Sequence, residues 1–272
     1  MKLLLSKTLW GVNFQDESLW GDHFARIKSE GYSAVESIPL TWQGNPKLFK
    51  SLLLRHGLDL IVQIHTNGGY LTASGYVYCA SCEFTDHIHS FRSQLVDACE
   101  MGAAMVNTHS GHDSWSNSTA VAYFKDVLAI EDEVLNNPDR DWGNIVVVHE
   151  THRQRLMFSP YQTKEILSHP DLARLKVNAD LSHWVCVCEH VFDEKDPRDA
   201  WWTEVLDLVA RHCHFIHARI GHAEGPQVFD PRDRERWCVE TNSHLDWWTH
   251  IWGAQQARGM AHSCVEPEHG ES

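Results

Sequence analysis

Residues 144–152 read Asn-Ile-Val-Val-Val-His-Glu-Thr-His, an apolar run that stops on a cluster of titratable side chains. The run is continuous rather than alternating, as in a parallel strand covered on both faces. The same form recurs along the chain. Asp59–His65 ends in Gln63-Ile64-His65, and Ala104–His109 leads into Ser110-Gly111-His112. Lys176–Asp180 leads into Leu181-Ser182-His183-Trp184, His214–Ile220 carries His217-Ala218-Arg219, and His262–Glu266 leads into Pro267-Glu268-His269. Leu3–Trp10 and Ala34–Ile38, less polar at their ends, bring the predicted strands to eight.

Helical patterns fall between these runs. Asn45-Pro46 reads as an N-cap followed by proline at the first helical position, with Gly57 closing the helix. Ile88, Phe91, Leu95 and Ala98 recur at helical spacing, as do Leu245, Trp248, Ile251 and Trp252. Ala200 to Arg211 is a further helix. Regular strand–helix alternation without a break in composition predicts one domain over residues 1–272, an α/β fold of the (β/α)8 TIM barrel type. The length of 272 residues suits it, since such barrels run to about 250 residues. The chain ends four residues after Glu268, so the reading also expects the usual C-terminal closing segment to be lacking.

Composition narrows the function. There are 37 acidic against 23 basic residues, a formal charge of −14. That sign repels phosphate backbones and argues against nucleic acid as a routine partner. The opening Met-Lys-Leu-Leu-Leu-Ser-Lys is too short an apolar run for a signal peptide, and no stretch approaches the ~20 apolar residues of a membrane span. Eight cysteines then read as reduced thiols; Cys79 and Cys82 form one CxxC with no second pair at zinc-ribbon spacing. The expected location is cytoplasmic, with no membrane partner. Twenty histidines is a high count, and histidine is the commonest metal ligand.

In a parallel barrel the reactive groups lie at the carboxyl ends of the strands. Six consecutive predicted strands deliver carboxylates or imidazoles to that one rim. Buried groups of this kind are costly unless paired or bound to a cation, so a divalent metal ion is the economical explanation. Mixed carboxylate and imidazole ligands suit manganese, magnesium, cobalt, iron or zinc alike.

With these residues in view, the chain resembles the xylose-isomerase-like TIM-barrel family, in its sugar phosphate isomerase/epimerase branch, a superfamily shared with endonuclease IV. The segments that carry the resemblance are VVVHETHRQRLMFSP from Val146, NADLSHWVCVCE from Asn178, HFIHARIGHAEGPQVFDPR from His214, and EPEHG from Glu266. The resemblance implies a metal held by Glu150, Asp180, His217 and Glu268, with Glu266 competing for the last place. It implies that His183 and Arg219 contact substrate oxygens. His65 and His109 stand between substrate contact, a second metal and structural hydrogen bonding. Trp184 and Trp10 read as packing.

The expected chemistry is isomerisation or epimerisation of a sugar, or of a sugar-like ketose or polyol. Glu150 and Glu268 would remove and return a proton next to a carbonyl, through an enediolate that the metal stabilises. The partner is then a small carbohydrate, with a homo-oligomer as a further possibility. A lyase or dehydratase on a ketosugar or polyol begins with the same proton abstraction. An endonuclease IV-like hydrolase would use a zinc cluster. Where that family presents an Asp-x-His pair after strand seven, this chain reads Asp230-Pro231-Arg232, one ligand short. The short C-terminus raises a third alternative, a non-catalytic barrel.

Overall fold

The computed structural model of the chain describes residues 1–10, 12–72, 75–77 and 79–269. Eight parallel strands close into a barrel: β1 (Lys2–Thr8), β2 (Ala34–Ser37), β3 (Asp59–His65), β4 (Met105–His109), β5 (Val146–Glu150), β6 (Val177–Ala179), β7 (Cys213–His217) and β8 (His262–Glu266). Closure runs through β1 and β8, with Lys2 opposite His262 and Leu5 opposite Val265. All eight predicted strands form. Their ends differ from the expected ones by a few residues, because the sequence pattern records burial and the ladder records pairing. A short antiparallel hairpin, Tyr70–Thr72 with Gly75–Val77, was not foreseen.

The longer helices between strands are α1 (Trp20–Ser29), α2 (Pro46–His56), α3 (Phe84–Met101), α4 (Asn117–Leu135), α5 (Pro160–Leu167), α6 (Ser182–Cys188), α7 (Trp202–His212) and α8 (Cys238–Ala257), with a single turn at Pro39–Trp42 after β2. The start and stop of α2 follow their local chemistry. The Asn45 side chain accepts from Leu48 N, Pro46 opens the helix, and Gly57 ends it at φ 61°, a left-handed conformation that glycine adopts without strain. In α8 the predicted periodicity holds for Trp248 and Ile251, which are buried, while Leu245 is exposed. Among the described residues no helix follows β8; residues 270–272, including Gly270 of the Pro-Glu-x-Gly pattern, lie outside them. Among the described residues no helix is long and apolar enough to cross a membrane. All eight cysteines are free thiols.

Side chains alternate across each strand, so the barrel has two separate apolar regions. A large shell packs the outer strand faces against the helices, with Val62, Ile64, Val106, Val147 and Ile216 at its base. Inside, Ile61, Met105, Val148 and Phe215 make a small closed floor. One step further along the same faces the interior turns polar. Asn107 and His109 follow Met105, Glu150 follows Val148, and His217 follows Phe215. That switch places the site.

Candidate active site and metal centre

The strand registers bring the polar tips together. His65 lies opposite His109, Glu150 opposite Asn178, and Glu266 opposite His217. One ligand atom each from Glu150, Asp180 and His217 lies within 4.8 Å of the others. His217 Nδ1 is 3.0 Å from Glu268 Oε2 and 3.7 Å from Glu150 Oε2. All four implied ligands are buried; Glu150, Asp180 and His217 form one group, and Glu268 adjoins it through His217. Glu266 is buried too, but it groups with Glu36 and the same His217, one layer nearer the floor.

These residues fit a cation. Neither ring nitrogen of His217 nor Glu268 Oε2 has an aligned hydrogen-bond partner, although the atoms are close. Donor atoms that crowd together without bonding one another are aimed at something between them. Glu150, Asp180 and Glu268 are buried around the single guanidinium of Arg219, while burial and Glu36 hold the Glu266 carboxyl well above its usual range. That excess of negative charge calls for further positive charge.

The remaining predicted residues form the walls. Arg219 Nη2 is 2.6 Å from Asp180 Oδ2 and 2.7 Å from His183 Nε2, and Arg219 Nη1 is 3.5 Å from Glu268 Oε1. Ser182 donates to Asp180 Oδ1 through its backbone N–H at 3.1 Å and through its hydroxyl. His109 Nε2 is 2.9 Å from Glu150 Oε2. His65 stacks on His109 with ring centroids 4.2 Å apart, His109 meets His152 at 4.3 Å, and His152 meets His183 at 3.9 Å. The four imidazoles make a continuous arc along one side of the site. Above it opens a cavity of about 600 Å³, lined by Glu36, His65, His109, Glu150, His152, His183, Arg219 and Glu268 among others.

Charge states follow from burial and neighbours. Burial would raise Glu268, but Arg219 and His217 outweigh it and hold the carboxyl well below its usual range. Burial also opposes ionisation of Glu150, which His109 and His217 bring down. Asp180 is pushed up to about 7 by burial against the pull of Arg219, with Glu268 and Glu150 adding to the rise. Burial works against a proton on His217, yet Glu36, Glu150 and Glu268 hold it well above the ordinary histidine value. His65, His152 and His183 are driven well below that value, first by burial and then by neighbouring imidazoles and guanidinium groups.

Several placements were not foreseen. Glu36 and Asn107 join the site although neither was a candidate. His149 faces the opposite way from Glu150, toward the helical shell, where Nδ1 meets Ser110 Oγ at 2.7 Å and Nε2 meets Glu131 Oε1 of α4 at 3.2 Å. Trp184 is packing, as expected, but Trp10 is not: it stands 44% exposed and lines the cavity mouth. The Asp230–Arg232 segment forms an ion pair of its own at 2.9 Å, with the Arg232 side chain 89% exposed.

No family model and no curated protein matches the sequence. Solved structures do. The probable 3-DHS dehydratase AsbF from Bacillus anthracis is 16% identical, with 99% of this chain and 93% of that one covered and a TM-score of 0.58. AP endonuclease, family 2, from Brucella melitensis is 13% identical, covering 98% and 93%, with a TM-score of 0.57. A sugar phosphate isomerase/epimerase from Parabacteroides distasonis is 13% identical, covering 100% and 88%, also with a TM-score of 0.57. Such identities speak for fold alone. In its fold, this chain is a (β/α)8 TIM barrel, similar throughout its length to these solved structures.

Proposed function

We propose that the chain is a metal-dependent isomerase or epimerase of sugars or sugar-like ketoses, acting by proton removal next to a carbonyl. The observation that carries this reading is the pairing of Glu150 and Glu268. They come from β5 and the end of β8, and both bring a carboxylate oxygen within 4 Å of His217 Nδ1 at the base of one cavity. A divalent cation held by Glu150, Asp180, His217 and Glu268 would supply Lewis acidity toward a carbonyl oxygen.

The chain's own residues do the rest. Two carboxylates at one cavity base take a carbon-bound proton and return it, and taking and returning it on different faces inverts the centre. Arg219 is tied to Asp180 and His183, so its charge is fixed in place before substrate enters. His183 Nδ1 is buried without a hydrogen-bond partner and offers a free position to a substrate oxygen. The imidazole arc and Trp10 shape the space for a small polyhydroxylated molecule. The formal charge of −14 and the self-paired Arg232 support a reading without duplex DNA as substrate.

The test is exchange. Candidate ketoses incubated in deuterated water with protein and manganese should gain deuterium at the carbon next to the carbonyl. Glu150→Gln should lower that rate by about 10²–10⁴-fold, the usual worth of a general base. Turnover of a true substrate without label would sink the two-glutamate reading. Loss of water from a labelled substrate would move the assignment to a dehydratase.

A further inference from the structure

Glu36 lies inside the site and belongs to none of the expected ligands. It is buried in β2, and its two oxygens reach in different directions. Oε1 accepts from Asn107 Nδ2 at 2.8 Å, and the same amide donates to Glu150 Oε2 at 2.6 Å. Oε2 lies 3.2 Å from His217 Nε2. One carboxylate therefore touches two implied ligands, one directly and one through a shared amide.

The chemistry of imidazole gives this contact a purpose. A histidine that offers Nδ1 to a cation carries its proton on Nε2. In a fully buried ring that N–H needs an acceptor. Glu36 Oε2, 3.2 Å from Nε2, is a carboxylate oxygen placed to accept it. The Glu36–Nε2 contact is close without being aligned, and Nδ1 on the far side of the ring lies 3.0 Å from Glu268 Oε2. Asn107, held between two carboxylates, has both hydrogens committed and fixes the direction of the Glu150 oxygen.

We infer that Glu36 is the positioning residue of the metal centre. It sets the proton position of His217 directly and the orientation of Glu150 through Asn107. This rests on the metal reading above and goes beyond it. It assigns an outer partner shared by two ligands, and a residue that alters metal affinity without touching the metal. Partners of this kind typically change affinity by about 10–100-fold when removed.

The experiment is a calorimetric titration of manganese alone into wild-type protein, Glu36→Gln, Glu36→Asp, Asn107→Ala and Asp180→Asn, with the thermal unfolding of each metal-free protein as a folding check. The expected result is one ion in the wild type. Binding weakens about 10–100-fold in Glu36→Gln, and Glu36→Asp recovers part of that because it keeps the acceptor charge. Asn107→Ala, which cuts only the Glu150 arm, weakens binding less than Glu36→Gln. Asp180→Asn loses tight binding. Wild-type affinity in a folded Glu36→Gln protein, beside loss in Asp180→Asn, overturns the inference and leaves the metal reading standing. Loss in Glu36→Gln with retention in Asp180→Asn also overturns it, because the ion would then sit lower, with Glu36 and Glu266 as its ligands. No binding in the wild type overturns both readings. Should Glu36→Gln fail to fold, the Asn107→Ala and Glu36→Asp titrations decide alone: unchanged affinity in both rejects the inference.

Discussion

Arg219 Nη2 sits 2.6 Å from Asp180 Oδ2, so the guanidinium expected to greet a substrate is seated on an implied metal ligand. Ser182 Oγ accepts from Arg219 Nε at 3.1 Å, and His183 Nε2 is a further partner. Arg219 is thus locked into the wall of the site, and a substrate oxygen meets only what those bonds leave free.

Removing that charge should unfold the protein more readily. Arg219→Leu leaves Asp180 and Glu268 buried against each other without their shared counter-charge, and breaking a buried pair from one side costs about 3–5 kcal/mol. Chemical denaturation in the absence of metal measures the loss. Added manganese should restore part of it, because the cation supplies the missing positive charge. A loss under about 1 kcal/mol would mean the pair is not buried as described.

Gly221 should tolerate no side chain. A Cβ there would stand 2.6 Å from Ser182 O and 2.8 Å from Ser182 Cα, both backbone atoms that cannot step aside. Ser182 holds Asp180 from below, so Gly221→Ala should displace a metal ligand as well as cost about 1–3 kcal/mol in strain. Gly253→Ala, with open space around its Cβ, is the matched control. Equal stability and equal manganese affinity in the two variants would contradict this contact.

Acid should destabilise the fold through His244. Burial drives this ring down to about 4, while its bond to Glu240 O only partly opposes the shift; the ring also accepts from Gly221 N at 3.2 Å. The folded state refuses a proton that the unfolded chain takes near the ordinary histidine value. The contribution is therefore complete above about pH 6.5 and is lost as the pH falls toward 4, amounting to about 3 kcal/mol across that window. Denaturant midpoints of wild type and His244→Gln, measured through that range, should converge as the medium becomes acidic. Parallel curves would reject a neutral buried ring.

Trp10 should matter for binding and hardly for folding. Trp10 is 44% exposed at the cavity and stands outside the buried core, so Trp10→Ala opens no core cavity. The expected outcome, once a substrate is in hand, is a raised KM with kcat and the unfolding midpoint nearly unchanged. A large fall in stability would return Trp10 to the core.

The barrel was legible because continuous apolar runs ending in polar clusters are what doubly covered parallel strands produce. Reading only the ends of those runs had two costs. Glu36 was passed over because it lies within the run Ala34–Ile38 and looks like a lapse in an apolar strand; the inward alternation of β2 places it opposite Ile61 of β3 and inside the site. His149 was grouped with Glu150 because they are neighbours in sequence, yet the two-residue period sends them to opposite faces. The hairpin after β3 escaped because its strands are three residues each, too short for any periodicity to register. Glu266 and Glu268 show what the pattern cannot hold. Both lie at the same strand end with the same spacing from Pro267, and only the backbone turn from Glu266 O to Glu268 N, at 2.8 Å, puts them on different levels.

The apolar floor of Ile61, Met105, Val148 and Phe215 closes the barrel beneath the carboxylates, and the cavity opens above them. Water that reaches Glu150 and Glu268 from the cavity comes through the mouth, past Trp10 and the imidazole arc. Whatever fills that opening also corks it. Under the proposed reading, a proton lifted from a bound molecule would stay with its acceptor until the occupant leaves, and trade with bulk solvent would take place between visits rather than during them.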